Sequence, residues 1–132
     1  MPIASNLVDS SAWLEYLADA PNTGAFAGAI EATAQLVVPT LVMTEVARRL
    51  DAQGRRRVIP QVVAHMRLGR IIPLDETLAL AAAMIGRQHT LALADSIVYA
   101  TALAFDAIVW TQDADFKDLA RVEYRAHARR PR

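Results

Sequence analysis

Ile3-Ala4-Ser5-Asn6-Leu7-Val8-Asp9-Ser10-Ser11-Ala12-Trp13-Leu14-Glu15-Tyr16-Leu17 decides the fold class. A short apolar run over residues 3–8 stops at an aspartate, and apolar side chains then recur at helical spacing through Trp13, Leu14 and Leu17. The first half reads as a buried strand and the second as a helix. The same alternation continues outward. Leu36-Val37-Val38 is a second strand ended by Pro39, and Thr40 stands where a residue could cap a helix running to about Ala52, closed by Gly54. Residues 70–74 and 107–111 read as further strands, with 122–124 as a short last edge strand. Helical patterns fill residues 25–34, 57–68, 75–88 and 95–105. Strands alternating with helices predict a parallel sheet covered on both faces, an α/β domain whose strand C-termini share one rim. Ligand sites in such sheets lie at that rim.

Four carboxylates stand out against this frame. Asp9 closes the first strand, Glu45 lies inside the helix after the second, Asp95 opens a helix, and Asp113 follows the fourth strand two residues after Thr111. Each is expected at the same rim. Two carboxylates about 5 Å apart repel by roughly 3 kcal/mol at an effective dielectric near 20. Four together call for a cation, and hard oxygen donors suit Mg²⁺ or Mn²⁺. Taken one at a time, the aspartates also read as ordinary helix caps, and Glu45 as a complement to its helix dipole.

Composition narrows the function classes. The 132 residues suit one domain over 1–132, with the polar tail from about residue 125 expected to fray. With 54% hydrophobic and 21% charged residues the chain reads as globular. It has no cysteine, which excludes disulfide frameworks, thiolate zinc sites and cysteine nucleophiles. That usage fits a reducing cytosol, so a cytoplasmic location is expected. The start has no basic, apolar leader pattern, and no apolar run is long enough to span a bilayer, so no membrane partner is expected. Net charge is zero, yet every basic residue except Lys117 is arginine. The arginines cluster at Arg48, Arg49, Arg55, Arg56 and Arg57, and again at Arg121, Arg125, Arg129, Arg130 and Arg132. Guanidinium forks match phosphate oxygens. Arg48 and Arg49, which follow Glu45 on its helix, are the candidates for holding a polyanion, against the plainer reading of a solvated surface.

The residues around the four acids form motifs: Val8-Asp9-Ser10-Ser11-Ala12, Thr44-Glu45-Val46, Leu93-Ala94-Asp95-Ser96 and Thr111-Gln112-Asp113-Ala114-Asp115-Phe116. In this order and spacing they resemble the PIN-domain family, and within it the VapC-type toxins of bacterial toxin–antitoxin pairs, over nearly the whole chain. The resemblance implies a three-layer fold with a parallel sheet in strand order 3-2-1-4-5. It implies a Mg²⁺- or Mn²⁺-dependent endoribonuclease that cleaves single-stranded or loop RNA. Asp9, Glu45, Asp95 and Asp113 map onto the family's catalytic acids, with Asp9, Asp95 and Asp113 toward the metal. Asp115 stands as a partner or substitute for Asp113, and Ser10 and Thr111 resemble the hydroxyls that orient ligands or water. Implied partners are the RNA substrate, met by Arg48 and Arg49, a cognate antitoxin and a second copy of the chain in a homodimer. The apolar surface for those partners is expected on the Ala- and Leu-rich helices, residues 25–34 and 57–68 among them.

Other readings fit less well. A haloacid dehalogenase-type phosphatase needs an acid two residues after the first, where this chain has Ser11; a response-regulator receiver needs a lysine after a late strand, and Lys117 follows none. A catalytically silent PIN module serving as an RNA or protein scaffold is the non-enzyme alternative. His65, His89 and His127 read as surface or structural residues, and Trp13 and Trp110 as core packing.

Overall fold

The computed structural model describes residues 4–128. Strands β1 (Ser5–Val8), β2 (Leu36–Pro39), β3 (Arg70–Ile72), β4 (Ala107–Thr111) and β5 (Val122–Tyr124) form one sheet in the order β3-β2-β1-β4-β5. Every neighbouring pair is parallel, from Asn6 opposite Leu36 on one side of β1 to Val8 opposite Trp110 on the other. The order 3-2-1-4-5 agrees with the sequence reading. All four residues of β2 are buried, as expected of a strand covered on both faces.

Six helices flank the sheet: α1 (Ser10–Leu17), α2 (Thr23–Glu31), α3 (Thr40–Ala52), α4 (Ile59–Met66), α5 (Glu76–His89) and α6 (Leu93–Ala104). The core runs from Leu7 and Val8 of β1 through Trp13, Phe26 and Ile30 to Val46, Leu50 and Met66, and on to Val98, Val109 and Phe116. Trp13 is buried in it, and Trp110 packs against it with its indole N–H donated to Asn6 Oδ1 at 3.0 Å, so both tryptophans are structural.

Four local expectations are corrected. Thr40 does not cap α3: Pro39 holds the cap position in extended geometry and Thr40 is the first helical residue. Fixed at φ −63°, Pro39 ends the strand and launches the helix without a side-chain bond. Asp95 does not open its helix. Residues of strong helix propensity, Leu93 and Ala94, precede it in α6, and the cap position falls on Ala92. The tail expected to fray from residue 125 is tied down for two residues: Arg125 N–H donates to Thr111 O at 2.9 Å and Asn22 Nδ2 to Ala126 O at 2.8 Å. Arg129, Arg130 and Arg132, like Ile3 at the start of the predicted first strand, lie outside the described residues. Finally, the large exposed apolar side chains fall only in part where they are expected: Leu68 ends the 57–68 segment, none is on α2, and most are on α5 and α6, where Leu80, Met84 and Leu93 are 65%, 75% and 80% exposed, with Leu74 and Leu103 besides.

Candidate active site

The parallel sheet delivers the ends of β1 and β4 side by side, and the site grows from that seam. Asp9 continues β1 by donating its N–H to Trp110 O at 3.0 Å. Its carboxylate is buried and held by hydroxyls. Oδ1 accepts from Ser10 Oγ at 3.2 Å, and Oδ2 accepts from Ser11 Oγ at 3.1 Å and from Thr111 Oγ1 at 2.5 Å. Oδ1 also takes the Ser11 N–H at 3.4 Å, a long capping bond for α1. Thr111 is wholly buried, and its hydroxyl in turn accepts the Asp113 N–H at 2.9 Å. One threonine therefore fixes Asp9 and the backbone of Asp113 together.

Ser11 is the residue that sequence reasoning missed. Its hydroxyl accepts the Gln112 N–H at 3.0 Å while facing Asp9, so it ties β1's exit to β4's exit. Ser10, named with Thr111 from the sequence, donates to Asp9 Oδ1, and its hydroxyl also eases the ionisation of Glu45. The adjacent serines are chemically alike, and only the register of β1 on β4 decides which one reaches across the seam.

Asp95 sits in the first turn of α6, makes no capping bond and is half-buried. Its pKa is pushed up to about 7, first by burial and then by the charges of Asp113, Asp9, Asp115 and Glu45. Glu45, in the second turn of α3, is also raised, by burial and by Asp9 and Asp113, against the opposing bond from Ser10. The N-terminal dipole of α3 fades beyond its first turn, so it does little to offset that cost. Asp113 caps the 3-10 turn Ala114–Phe116 through Oδ1, which accepts from Asp115 N at 2.9 Å. Asp95, Asp113 and Asp115 can each offer an oxygen within 4.8 Å of the others. Asp113, Asp9, Asp115 and Glu45 thus all act on Asp95, and exposed Asp115 joins Asp95 and Asp113 in the ligand group, of which Asp9 and Glu45 are not part.

The arginines flank this cluster. Arg48 and Arg49 are exposed on α3, and neither is in an ion pair among the described residues. Both line a recess of about 470 Å³ beside Glu45, Thr44 and Ala94. On the other side of Glu45 lies a second recess of about 490 Å³ that Arg49 also lines, together with Ser10 and His127. A further recess, about 680 Å³, holds none of the carboxylates; it is a mostly apolar hollow lined by residues that include Ala82, Gly86 and Ile97. His65 and His89 are structural, the first bonded to Ile30 O at 2.8 Å and edge-on to Trp13, the second edge-on to Tyr99. His127 is a surface residue, as expected, and the tethered tail carries it to the recess beside Glu45.

The donor set contains only carboxylate and hydroxyl oxygens, with Asp95 destabilised as an anion by its neighbours. Such a set fits a hard divalent cation and offers nothing to a soft one. No helix among the described residues is long and apolar enough to cross a membrane.

Comparison with known proteins extends this geometry. No curated protein sequence matches the chain. Among solved structures, a toxin–antitoxin complex from Klebsiella pneumoniae superposes with a TM-score of 0.74 at 18% identity, over 90% of this chain and 96% of that one. VapC20 of Mycobacterium tuberculosis, a sarcin-ricin loop cleaving toxin, gives 0.72 at 17% identity over 89% and 97%. FitAcB from Neisseria gonorrhoeae gives 0.68 at 23% identity over 89% and 94%. At these identities the likeness is one of fold. The model of the PIN domain matches residues 7–122, from the middle of β1 into β5 and across all four acidic motifs, and the chain belongs to the PIN-domain family.

Proposed function

We propose that the chain is an endoribonuclease dependent on Mg²⁺ or Mn²⁺, acting on single-stranded or loop RNA as the toxin of a toxin–antitoxin pair. The observation that carries this reading is the gathering of Asp95, Asp113 and Asp115 with oxygens within 4.8 Å of one another, near enough to Asp9 and Glu45 for their charges to help raise the Asp95 pKa to about 7. A scaffold would gain nothing from keeping so costly a cluster intact, which weighs against the silent-module alternative. The toxin assignment draws support from neighbours that are themselves toxin–antitoxin proteins.

Asp9, Asp95 and Asp113, with Asp115 beside them, would hold the cation. When bound there it supplies positive charge against the scissile phosphate and acidifies the attacking water. Thr111 and Ser11 keep Asp9 oriented, the part that supporting hydrogen bonds play around ligating side chains. Glu45 lies at the edge of the cluster with its pKa raised, suited to take a proton from water on its carboxylate oxygen. Water attacks phosphorus, its proton passes to Glu45, the bond from phosphorus to the 3′-oxygen breaks, and the leaving oxygen takes a proton from solvent, to which Glu45 then returns its own. The expected products are a 5′-phosphate and a 3′-hydroxyl. Cleavage of a generic RNA should require Mg²⁺ or Mn²⁺ and stop in chelator. Ends carrying 2′,3′-cyclic phosphate, or cleavage unaffected by chelator, would exclude this chemistry.

Partners follow the apolar surface. The homodimer is assigned to the α5–α6 face, where Leu80, Met84 and Leu93 project beside a hollow lined by Ala82, Ala83 and Gly86. Projections and hollow on one face suit an isologous two-fold contact. Met84→Glu combined with Leu93→Glu should turn a dimer at micromolar concentration into a monomer by light scattering. A double variant that remains dimeric would move the interface elsewhere. The antitoxin is expected to act through an arginine delivered to the acid cluster, where bidentate pairing competes with the metal.

A further inference from the structure

The recess between α1, α3 and the C-terminal tail is built by long-range contacts rather than left over between elements. Gln112 is buried at its inner wall with its amide fully committed: Oε1 accepts from Asn22 Nδ2 at 2.8 Å, and Nε2 donates to Ser11 O and to Glu15 Oε1, each at 3.3 Å. Asn22 uses its other amide hydrogen on Ala126 O. Arg125 N–H holds the same tail to Thr111 O. A strap of two backbone anchors therefore crosses from β5 to the loop before α2, and His127, the next residue, lines the recess together with Arg49.

The recess combines committed and open polar groups, with the Glu45 carboxylate at its edge as an acceptor. Glu15 is already engaged at both oxygens, by Asn22 N–H at 2.8 Å and by Gln112. The side chains of Arg49, Gln53 and His127 have no hydrogen-bond or ion-pair partner among the described residues. Three open donor groups thus face a hollow whose floor includes apolar Leu14 and Ala18, beside a rim that is otherwise acidic. The hollow shares Ser10, Ser11 and Glu45 with the acid cluster, so whatever fills it adjoins the reacting phosphate. Its volume of about 490 Å³ lies within the range of sites that enclose a small ligand.

We propose that this recess is a nucleotide subsite that receives the residue of the RNA chain next to the scissile bond, with Arg49 and His127 both contributing to hold its phosphate. The proposal rests on the ribonuclease reading above. Arg49 supplies a planar charged fork, the His127 ring supplies a directional N–H, and Gln53 reaches the sugar or base edge. The strap makes the C-terminal segment a working wall of the site. That role is invisible to local sequence patterns, because Asn22 and Ala126 meet only in the folded chain.

The test uses full-length Asp95→Asn protein and a labelled mixed-sequence single-stranded 12-mer of RNA. His127→Ala and Arg49→Ala, each added to that background, should weaken binding by about tenfold, and Arg49→Ala should flatten the salt dependence by about 0.7 in log–log slope. The chain's three histidines supply a readout that does not depend on any further variant. On titration with the RNA the imidazole signals of His127 should shift, while those of His65 and His89, packed against Trp13 and Tyr99, stay in place. Unchanged affinity in both variants, or a stationary His127 signal on RNA that does bind, overturns the subsite while leaving the ribonuclease standing. If the parent protein binds no RNA and the wild type cleaves none with Mg²⁺ or Mn²⁺, the ribonuclease reading falls and takes the subsite with it.

Discussion

Asp95→Asn should lower RNA cleavage by at least about a thousandfold and leave the protein, in chelator, as stable as the wild type or more so. The two halves of that expectation come from one geometry. Asp95 makes no capping bond, so its carboxylate contributes no local hydrogen bond that asparagine would lose. What it does contribute without a cation is repulsion from Asp113, Asp9, Asp115 and Glu45. The pH dependence follows from the sign of the shift. An aspartate near 4 in the unfolded chain and about 7 in the fold binds its proton more tightly when folded. Stability is then greatest below the unfolded value, falls as pH rises through the window between them, and stays low above about 7. Glu45, also raised, acts in the same direction. In chelator the wild-type Tm should therefore drop between pH 5 and pH 8, and Mg²⁺ should restore it at pH 8. Asp95→Asn should flatten both responses. Thermal melts across that range decide the matter: a steep, unaltered pH profile in the variant would mean that the strain lies elsewhere. Asp9→Asn is the less clean probe, because Asp9 also holds Thr111, Ser10 and Ser11.

How far such a site can be read from sequence depends on how local its causes are. Asp9 is legible because a buried strand and an amphipathic helix meet on it, two periodicities changing over at one residue. The five-strand order rested on the motif resemblance, since alternation alone predicts parallel strands but not which of them neighbour. The helix start at Leu93 was misplaced because Asp is a favoured cap, whereas here Leu93 and Ala94 extend the helix past it and leave Asp95 free for the cluster. Ser11 was passed over because choosing between adjacent serines needs the register of β1 on β4. The exposed face of α5 was equally hidden. A helix of Leu, Ala and Met is apolar nearly all round, and no periodic signal says which side stays exposed. Lastly, the tail's polar composition predicts fraying, and only the long-range partners Asn22 and Thr111 reverse it.

Gly86→Ala should destabilise the protein by about 2 kcal/mol and slow cleavage by about tenfold, although it alters no residue of the acid cluster. Gly86 lies in α5 where that helix crosses α6. A β-carbon there would stand 2.1 Å from Ser96 Oγ and 2.9 Å from Ser96 Cβ. The hydroxyl cannot swing away freely, since Ser96 is buried and its Oγ is bonded to Ala92 O at 2.8 Å and Leu91 O at 3.3 Å. The gain in helix propensity from glycine to alanine is at most about 1 kcal/mol, while overpacking costs typically about 1–3 kcal/mol, so the clash wins. Relief requires α6 to move away from α5, and Asp95 is the residue next to Ser96. A shift of a few tenths of an ångström at Ser96 reaches the carboxylate that the cluster is built around. A double-mutant cycle isolates the cause. Ser96→Ala removes the nearest clashing atom and costs little alone, because its bonds are made to carbonyls within its own helix turn and the preceding loop. In Gly86→Ala with Ser96→Ala, about 1 kcal/mol of stability should return, with part of the activity. The recovery is partial, because the β-carbon of residue 96 remains at 2.9 Å. Additive losses in the cycle would show that Gly86 is needed for some other reason than the close crossing of α5 and α6, and that the position of Asp95 does not depend on it.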